Sequence, residues 1–339
     1  MKLFHISHTD LDGYGCQLIT NEYFKNSFFY NANYGLEVKL SIKKALEQIA
    51  QFKEDNILLL ITDLNLTMEQ AKEFESKASI CAKKPLLLLL DHHKTGQECD
   101  DTFEWYFLDS SRCATKITYD FFASLYGKDE KLSQFVDVVN AVDIWLEDKA
   151  EFELGKVCMG LVSAAREVNK VMFPHVNSQY IFALLEEAQN YFTCKDPHIA
   201  LDDAIHHIKK NFFMTDKNDT LSNLISACNV VLLSQHKTQM QIYYKEYKGI
   251  LTYNIGSVSI IGNDFLKSNP DFDFFMDITS KKTISLRSSG KVDVSQMAAH
   301  LANGGGHHNA SGGLLSTFKD AFTYDAIKSQ VMSIIANKG

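Results

Sequence analysis

The sequence predicts an α/β protein, with an N-terminal parallel-sheet domain followed by a smaller C-terminal α+β domain. Three observations carry this reading. Two uninterrupted aliphatic runs, Ile57–Ile61 and Leu86–Leu90, have the length and composition of strands buried on both faces of a parallel sheet. Segments with helical apolar spacing flank and separate them. From Asn229 onward this alternation gives way to short β-rich runs and a glycine-rich segment. A chain of 339 residues has room for about two domains. With 45% hydrophobic and 22% charged residues, it is neither disordered nor collagenous nor a coiled coil.

Lys2–Ser7 is the first apolar stretch and ends in His8-Thr-Asp-Leu-Asp-Gly13. After Gly13, Cys16, Ile19 and Tyr23 give helical spacing to about Lys25. Ser27–Asn33 reads as a strand, Leu36–Phe52 as a helix and Asn56–Thr62 as a buried strand that stops at Asp63. Thr67-Met-Glu-Gln70 has the form of a capping box opening the next helix. Leu86–Leu90 stops at Asp91-His92-His93, and Glu104–Leu108 is one more strand. Helical spacing returns over Cys113–Leu125 and Leu132–Leu146, and Glu147–Asp219 reads as helical without evident chemistry. Beyond it, Val230–Leu233, Met240–Tyr244, Ile250–Tyr253 and Ser257–Ile261 read as β-rich, as do Phe272–Ile278 and Thr283–Arg287. Val292–Leu301 and Ala321–Ala336 read as helices. The expected organisation is a metal-binding catalytic domain over 1–195, a helical linker over 196–219 and a substrate-binding domain over 220–339.

A net charge of −8 disfavours a footprint on long duplex nucleic acid, which asks for a basic face. Seven scattered cysteines without a Cys-x-x-Cys pair argue against a disulfide framework and a thiolate zinc site. They fit reduced thiols in the cytoplasm. The aliphatic runs are far shorter than a membrane span, so no membrane partner is expected. Met1–Ser7 lacks the basic stretch and long apolar core of a signal peptide.

Ligands of open parallel sheets bind beyond the carboxyl ends of the strands. Three predicted strands end there in chemistry: His8, Asp10 and Asp12; Asp63; and Asp91, His92 and His93. Asp143 sits in an apolar helical setting, where an unpaired charge is costly to bury. Taken singly, each has an ordinary reading, such as a helix cap for Asp10 or Asp12 and a turn residue for Asp63. Together they form a mixed carboxylate–imidazole set suited to Mn²⁺ and less selectively to Mg²⁺, Fe²⁺ or Co²⁺. Two such ions about 3.5–4 Å apart can clamp the attacking and leaving oxygens of an in-line phosphoryl displacement.

His8-Thr-Asp-Leu-Asp-Gly13, Thr62-Asp63-Leu64, Asp91-His92-His93, Asp143 and Gly304-Gly-Gly-His307 resemble, in order, the successive motifs of the DHH/DHHA1 phosphoesterase superfamily. The resemblance spans nearly the whole chain. The form of the first motif, Ser7-His-Thr-Asp-Leu-Asp-Gly-Tyr-Gly-Cys16, is most similar to the nano-RNase B type of oligoribonuclease. The resemblance implies two divalent metal ions, Mn²⁺ first among them and Mg²⁺ or Co²⁺ as alternatives. Asp63 would bridge them, His8 and Asp10 would hold one, Asp12 and His92 the other, and Asp143 would add a carboxylate. Asp91 and His93 would orient His92 or polarise the attacking water. One position departs from the pattern. Many members carry a histidine four residues before the first aspartate, where this chain has Ile6. His8 is favoured to complete that site. His5 stands as the alternative, and so does a water in the vacant place with His8 beside it.

In the C-terminal domain, Gly304, Gly305 and Gly306 would let successive amides cradle a phosphate, with His307 as a further donor. A flexible loop is the plain alternative for three glycines. Ser311 replaces the second alanine of the family pattern Gly-Gly-Gly-His-x-x-Ala-Ala-Gly. Arg287 suits two-point recognition of a phosphate, and the family carries a substrate-binding arginine there. Asp293 reads as the cap of the following helix. The expected activity is metal-dependent hydrolysis of short single-stranded oligoribonucleotides to mononucleotides, with substrate held in a cleft between the domains. A cyclic mono- or dinucleotide phosphodiesterase and a pAp phosphatase are the alternatives within enzymes, and a catalytically inactive nucleotide-binding regulator is the alternative outside them. A homodimer is compatible with all of these readings.

Overall fold

The computed structural model describes residues 1–216 and 218–338. The chain divides into two compact units, one of residues 1–165 and 178–208, the other of residues 166–177 and 209–339.

The first unit begins with β1 (Lys2–Ser7), α1 (Leu11–Tyr23), β2 (Ser27–Asn31), α2 (Leu36–Ala50), β3 (Ile57–Thr62), α3 (Met68–Ile80) and β4 (Leu86–Asp91). A short α4 (Gln97–Asp100), β5 (Tyr106–Leu108), α5 (Ala114–Tyr126), α6 (Glu130–Asp143) and α7 (Phe152–Ser163) follow. The strands form one five-stranded sheet in the order β2-β1-β3-β4-β5, and every neighbouring pair is parallel.

Burial explains the strand composition. All six residues of β3 are buried, as expected for the middle of a sheet covered on both faces. Alternation along β1 assigns the faces. Phe4 and Ile6 pack with Val38 and Ile42 of α2 and Phe74 of α3. Leu3 packs with Ile117 and Phe122 of α5 on the other side. The capping box is present, with the Thr67 hydroxyl accepting from the Gln70 N–H and the Gln70 side chain accepting from the Thr67 N–H. The first helix starts at Leu11, earlier than its apolar spacing indicates, because Asp10 caps it by accepting from the Gly13 N–H.

Helices α8 (Pro174–Ala188) and α9 (Pro197–Phe213) follow, α9 lying in the segment expected to link two domains. The second unit continues with α10 (Leu221–Met240), β6 (Gln241–Tyr244), β7 (Tyr247–Tyr253), α11 (Val258–Ser268), β8 (Phe274–Ile278), β9 (Thr283–Ser288), α12 (Val294–Ala302), β10 (Gly305–His307), β11 (Ala310–Leu314) and α13 (Tyr324–Lys338). Its six-stranded sheet runs β10-β11-β9-β8-β7-β6, with β7–β8 parallel and the other pairs antiparallel.

Two segments expected to be strands are helical. Val230–Leu233 lies inside α10, where Ser226, Asn229, Val230 and Leu233 form a buried stripe whose spacing suits a helix. Ser257–Ile261 opens α11, whose buried positions Ile261, Gly262, Phe265 and Leu266 recur at helical spacing beyond the point where the β-branched run ends. In both, β-branched residues mimic a strand locally, and burial over a longer window decides for helix. The glycine-rich stretch after α12 is also not a loop. It forms the β10–β11 hairpin, in which Gly306 has φ 146° and a Cβ there would press on the backbone of Ala310 and Ser311.

Candidate metal centre

The carboxyl ends of β1, β3 and β4 lie side by side, and the residues that follow them converge. Asp63 is the hub. It leaves β3 with φ 54°, a left-handed conformation that aspartate and asparagine tolerate better than most residues. Its backbone N–H donates to the Leu90 carbonyl at 3.2 Å, tying it to the neighbouring strand. Its side chain is buried, and Oδ2 has no hydrogen-bond partner.

Around Asp63 the ligand atoms group in sets. Those of His8, Asp10 and Asp63 lie within 4.8 Å of one another, and so do those of Asp63, His92 and His93. His92 Nε2 stands 3.4 Å from Asp63, 3.6 Å from Asp143 and 3.7 Å from Asp12. His8 Nδ1 bonds Asp10 at 2.7 Å and lies 3.7 Å from the free Oδ2 of Asp63. Every metal residue expected from the sequence is therefore part of one cluster in the first unit.

Local folding explains each position. Gly13 is required for packing, since a Cβ there would strike the His8 backbone. Asp12 is buried in the first turn of α1, and its carboxylate accepts from the N–H groups of Ala114 at 2.8 Å and Thr115 at 2.7 Å. These amides open α5, so the helix dipole favours the charge. Asn140 of α6 accepts from the Cys113 N–H at 3.0 Å, fastening the start of α5 to the helix that ends in Asp143.

Electrostatics oppose this assembly in the absence of a cation. Burial, then repulsion from Asp12, Asp10 and Asp143, pushes the Asp63 carboxyl well above the usual range. Asp143, with its side chain 23% exposed, is pushed up to about 8 by desolvation and by Asp12 and Asp10. Burial also tends to raise Asp10, but the hydrogen bond and charge of His8 prevail and lower it to about 2. Desolvation lowers His92. For His93, burial is outweighed by the bond from Nδ1 to Asp91 at 2.7 Å, and the imidazole is raised. Among the described residues no lysine or arginine pairs with Asp10, Asp12, Asp63 or Asp143. Two buried carboxylates, Asp12 and Asp63, flanked by the more exposed Asp10 and Asp143, with no such partner and an orphaned oxygen at the centre, fit divalent cations, whose charge would answer the repulsion.

Sequence reasoning missed two neighbours. Tyr34, in the β2–α2 loop, places its hydroxyl 3.1 Å from His93 Nε2, and burial with the nearby carboxylates pushes that hydroxyl up. A lone tyrosine before a glycine carries no signal of this. Cys113 lies with Asp12 and Asp143 within 4.8 Å, and burial pushes its thiol well up. Its place among scattered cysteines gave no hint. His5 is fully buried, its nitrogens 2.9 Å from Thr20 Oγ1 and 2.8 Å from Thr62 Oγ1, so both are engaged away from the carboxylates. Thr62 precedes Asp63, and Ser7 Oγ also meets it at 2.7 Å.

The remaining expected site residues lie in the second unit. Arg287 is on β9, opposite Ala310 of β11, which in turn pairs with His307 of β10. Its guanidinium donates to Ser259 Oγ at 2.6 Å and to the Leu286 carbonyl at 2.8 Å. His307 is exposed, as are Gly305 and Gly306, with Gly304 partly so, and Asp293 caps α12 through the Ser295 N–H.

No family model matches the chain. A 3',5'-cyclic-nucleotide phosphodiesterase of Helicobacter pylori is 42% identical over 346 aligned positions, covering 99% of both chains. Oligoribonuclease NrnB of Bacillus subtilis is 25% identical over 91% of this chain and 72% of its own. A crystal structure of an uncharacterized protein from Helicobacter pylori G27 superposes with a TM-score of 0.92 at 42% identity, again over 99% of both chains. A relationship of that extent, with the first three motifs gathered at the carboxyl ends of one parallel sheet, makes this chain a phosphoesterase belonging to the DHH/DHHA1 superfamily.

Proposed function

We propose that the protein is a divalent-metal-dependent phosphodiesterase of small nucleotides, with 3',5'-cyclic nucleotides as its first substrate class. The observation that carries the reading is the convergence of His8, Asp10, Asp12, His92 and Asp143 on a buried Asp63 with a free oxygen. The name of the 42% identical relative supports the cyclic substrate. Short linear oligoribonucleotides are the second reading, supported by the more distant oligoribonuclease and by the form of the first motif.

In this reading Asp63 would be shared by two cations, one held also by His8 and Asp10 and the other by Asp12 and His92, with Asp143 as a further carboxylate. The carboxylate–imidazole donor set suits Mn²⁺, with Mg²⁺ or Co²⁺ as alternatives. Bound there, the pair would supply Lewis acidity for activating water and for countering the charge that develops on phosphorus. The two α5 amides on Asp12 fix its carboxylate before any ligand arrives, so no reorganisation is needed there. Asp91 aligns His93 through Nδ1, and Nε2, now 3.1 Å from the Tyr34 hydroxyl, would face the reacting phosphate or the water beside it. In the second unit, Arg287, His307 and the backbone of Gly304, Gly305 and Gly306 would grip a phosphate, the guanidinium exchanging its bond to Ser259 for phosphate oxygens.

The test is hydrolysis by purified protein with Mn²⁺ of cyclic AMP, cyclic GMP, a linear diribonucleotide, cyclic di-AMP and pAp. Turnover of the cyclic mononucleotides at the highest kcat/KM is expected. Preferential turnover of the diribonucleotide would move the assignment to the second reading. Turnover of pAp alone would overturn both.

A further inference from the structure

The β2–α2 loop carries an aromatic residue directly against the metal-ligand set. Tyr34 remains 43% exposed, although its ring centroid lies 5.3 Å from that of His8 and 5.8 Å from that of His93. Its neighbours are firmly held. The Asn33 N–H and side-chain amide donate to the Glu37 carboxylate at 2.9–3.0 Å, and Asn33 Oδ1 accepts from Thr9 Oγ1 at 3.0 Å. The Gly35 carbonyl accepts from Gln70 Nε2 at 3.3 Å. Thr9 lies between His8 and Asp10, so the loop is bolted to the first ligand motif itself.

The hydroxyl makes its hydrogen bond to His93 Nε2 at 3.1 Å, and Asp91 holds the other nitrogen of that ring. Tyr34 presents an O–H to the same space as the ligand atoms of His8, Asp63, His92 and His93. A phosphodiester placed there carries anionic oxygens, which are stronger acceptors than a neutral imidazole nitrogen.

We propose that Tyr34 is a substrate-contacting residue: its hydroxyl, held on His93 Nε2 when substrate is absent, turns to donate to a non-bridging oxygen of the bound phosphodiester. The inference rests on the phosphodiesterase reading above but not on which nucleotide is cleaved. The Asn33–Glu37–Thr9 network fixes the loop, so that only rotation of the hydroxyl about its C–O bond is needed. The ring, already against His8, stays in place.

The test uses the Mn²⁺-loaded full chain and bis(p-nitrophenyl) phosphate, a diester without a base, beside the nucleotide panel. Tyr34→Phe keeps the ring and removes only the donor. The expected result is a fall in kcat of about 100- to 1,000-fold on every diester that the wild type cleaves, the scale of losing one donor to a developing oxyanion. Manganese content and melting temperature should match the wild type. The same substitution in a His93→Ala background separates direct contact from action through His93. A persisting loss supports the contact, and no further loss overturns it. Wild-type kcat in Tyr34→Phe also overturns it, as does a loss explained by missing manganese. If the wild type cleaves bis(p-nitrophenyl) phosphate but no nucleotide, the substrate assignment fails while this inference is still decided by the variant. If it cleaves no diester, both fail.

Discussion

Replacing Asp63 by asparagine should stabilise the metal-free protein while destroying its function. Asp63 is buried, one oxygen has no partner, and three other carboxylates raise its proton affinity. A carboxyl whose folded value lies above its unfolded value destabilises the fold at every pH above the unfolded value, increasingly so as pH rises toward the folded one. Protonation caps that penalty at about 1.4 kcal/mol per pH unit, or about 6 kcal/mol at pH 8. Replacing buried ion pairs by neutral side chains returns up to about 1–4 kcal/mol, and on the same scale a gain of about 3 kcal/mol is expected at pH 8. For a unit of this size that is roughly 6–12 °C in melting temperature. Asparagine also tolerates the left-handed φ of 54°, whereas Asp63→Ala should lose about 1–2 kcal/mol of the gain to backbone strain. The assay is thermal unfolding of chelator-treated protein from pH 4 to pH 8, with and without Mn²⁺. The gain should vanish near pH 4. Mn²⁺ at a hundred times its Kd should raise wild-type stability by about 2.7 kcal/mol and leave the variant nearly unmoved. A variant less stable than the wild type at pH 8 without metal, or a gain independent of pH, would refute the reasoning.

Three further outcomes are expected. Asp277 is buried against Thr252 Oγ1 and the Ile255 N–H, and burial raises it to about 6. The native state therefore takes up its proton first, stability rises as pH falls from about 6 toward 4, and Asp277→Asn should remove that rise in calorimetry. Burial lowers His5 to about 3, so between about 6.5 and about 3 only the unfolded chain binds its proton. Stability is lost over that window as pH falls, and His5→Gln should unfold less steeply with acid in circular dichroism. Arg287→Lys replaces a fork by a point charge and should raise KM for nucleotides by about tenfold with metal content unchanged, as read by steady-state kinetics.

The parts of the fold that depend on local pattern were legible in the chain. Ile57–Ile61 and Leu86–Leu90 announce buried parallel strands because both faces of such strands need aliphatic side chains. Once those strands are parallel neighbours, Asp63 and Asp91 must come together at their carboxyl ends, so much of the cluster follows from topology alone. What depends on longer windows or on contacts across the sheet was not legible. Val230–Leu233 and Ser257–Ile261 are β-branched runs whose helical character lies in burial over more residues than the runs contain. Tyr34 reaches the centre from a loop whose own sequence has no periodicity, Cys113 from the N-cap of α5, where helical spacing does not tell what the thiol faces, and the surroundings of His5 form only when Thr20 and Thr62 close on it. Gly304–Gly306 read as a phosphate cradle with a flexible loop as the alternative, and nothing in their sequence showed that they are selected in part by the close backbone contacts of the β10–β11 hairpin.

Anomalous diffraction at the manganese edge, from crystals of the full chain grown with Mn²⁺, tests the central claim most directly. Two peaks about 3.5–4 Å apart are expected, both in contact with the Asp63 carboxylate, one also touching His8 and Asp10 and the other Asp12 and His92. Manganese absent from these side chains, or bound without Asp63, would contradict it.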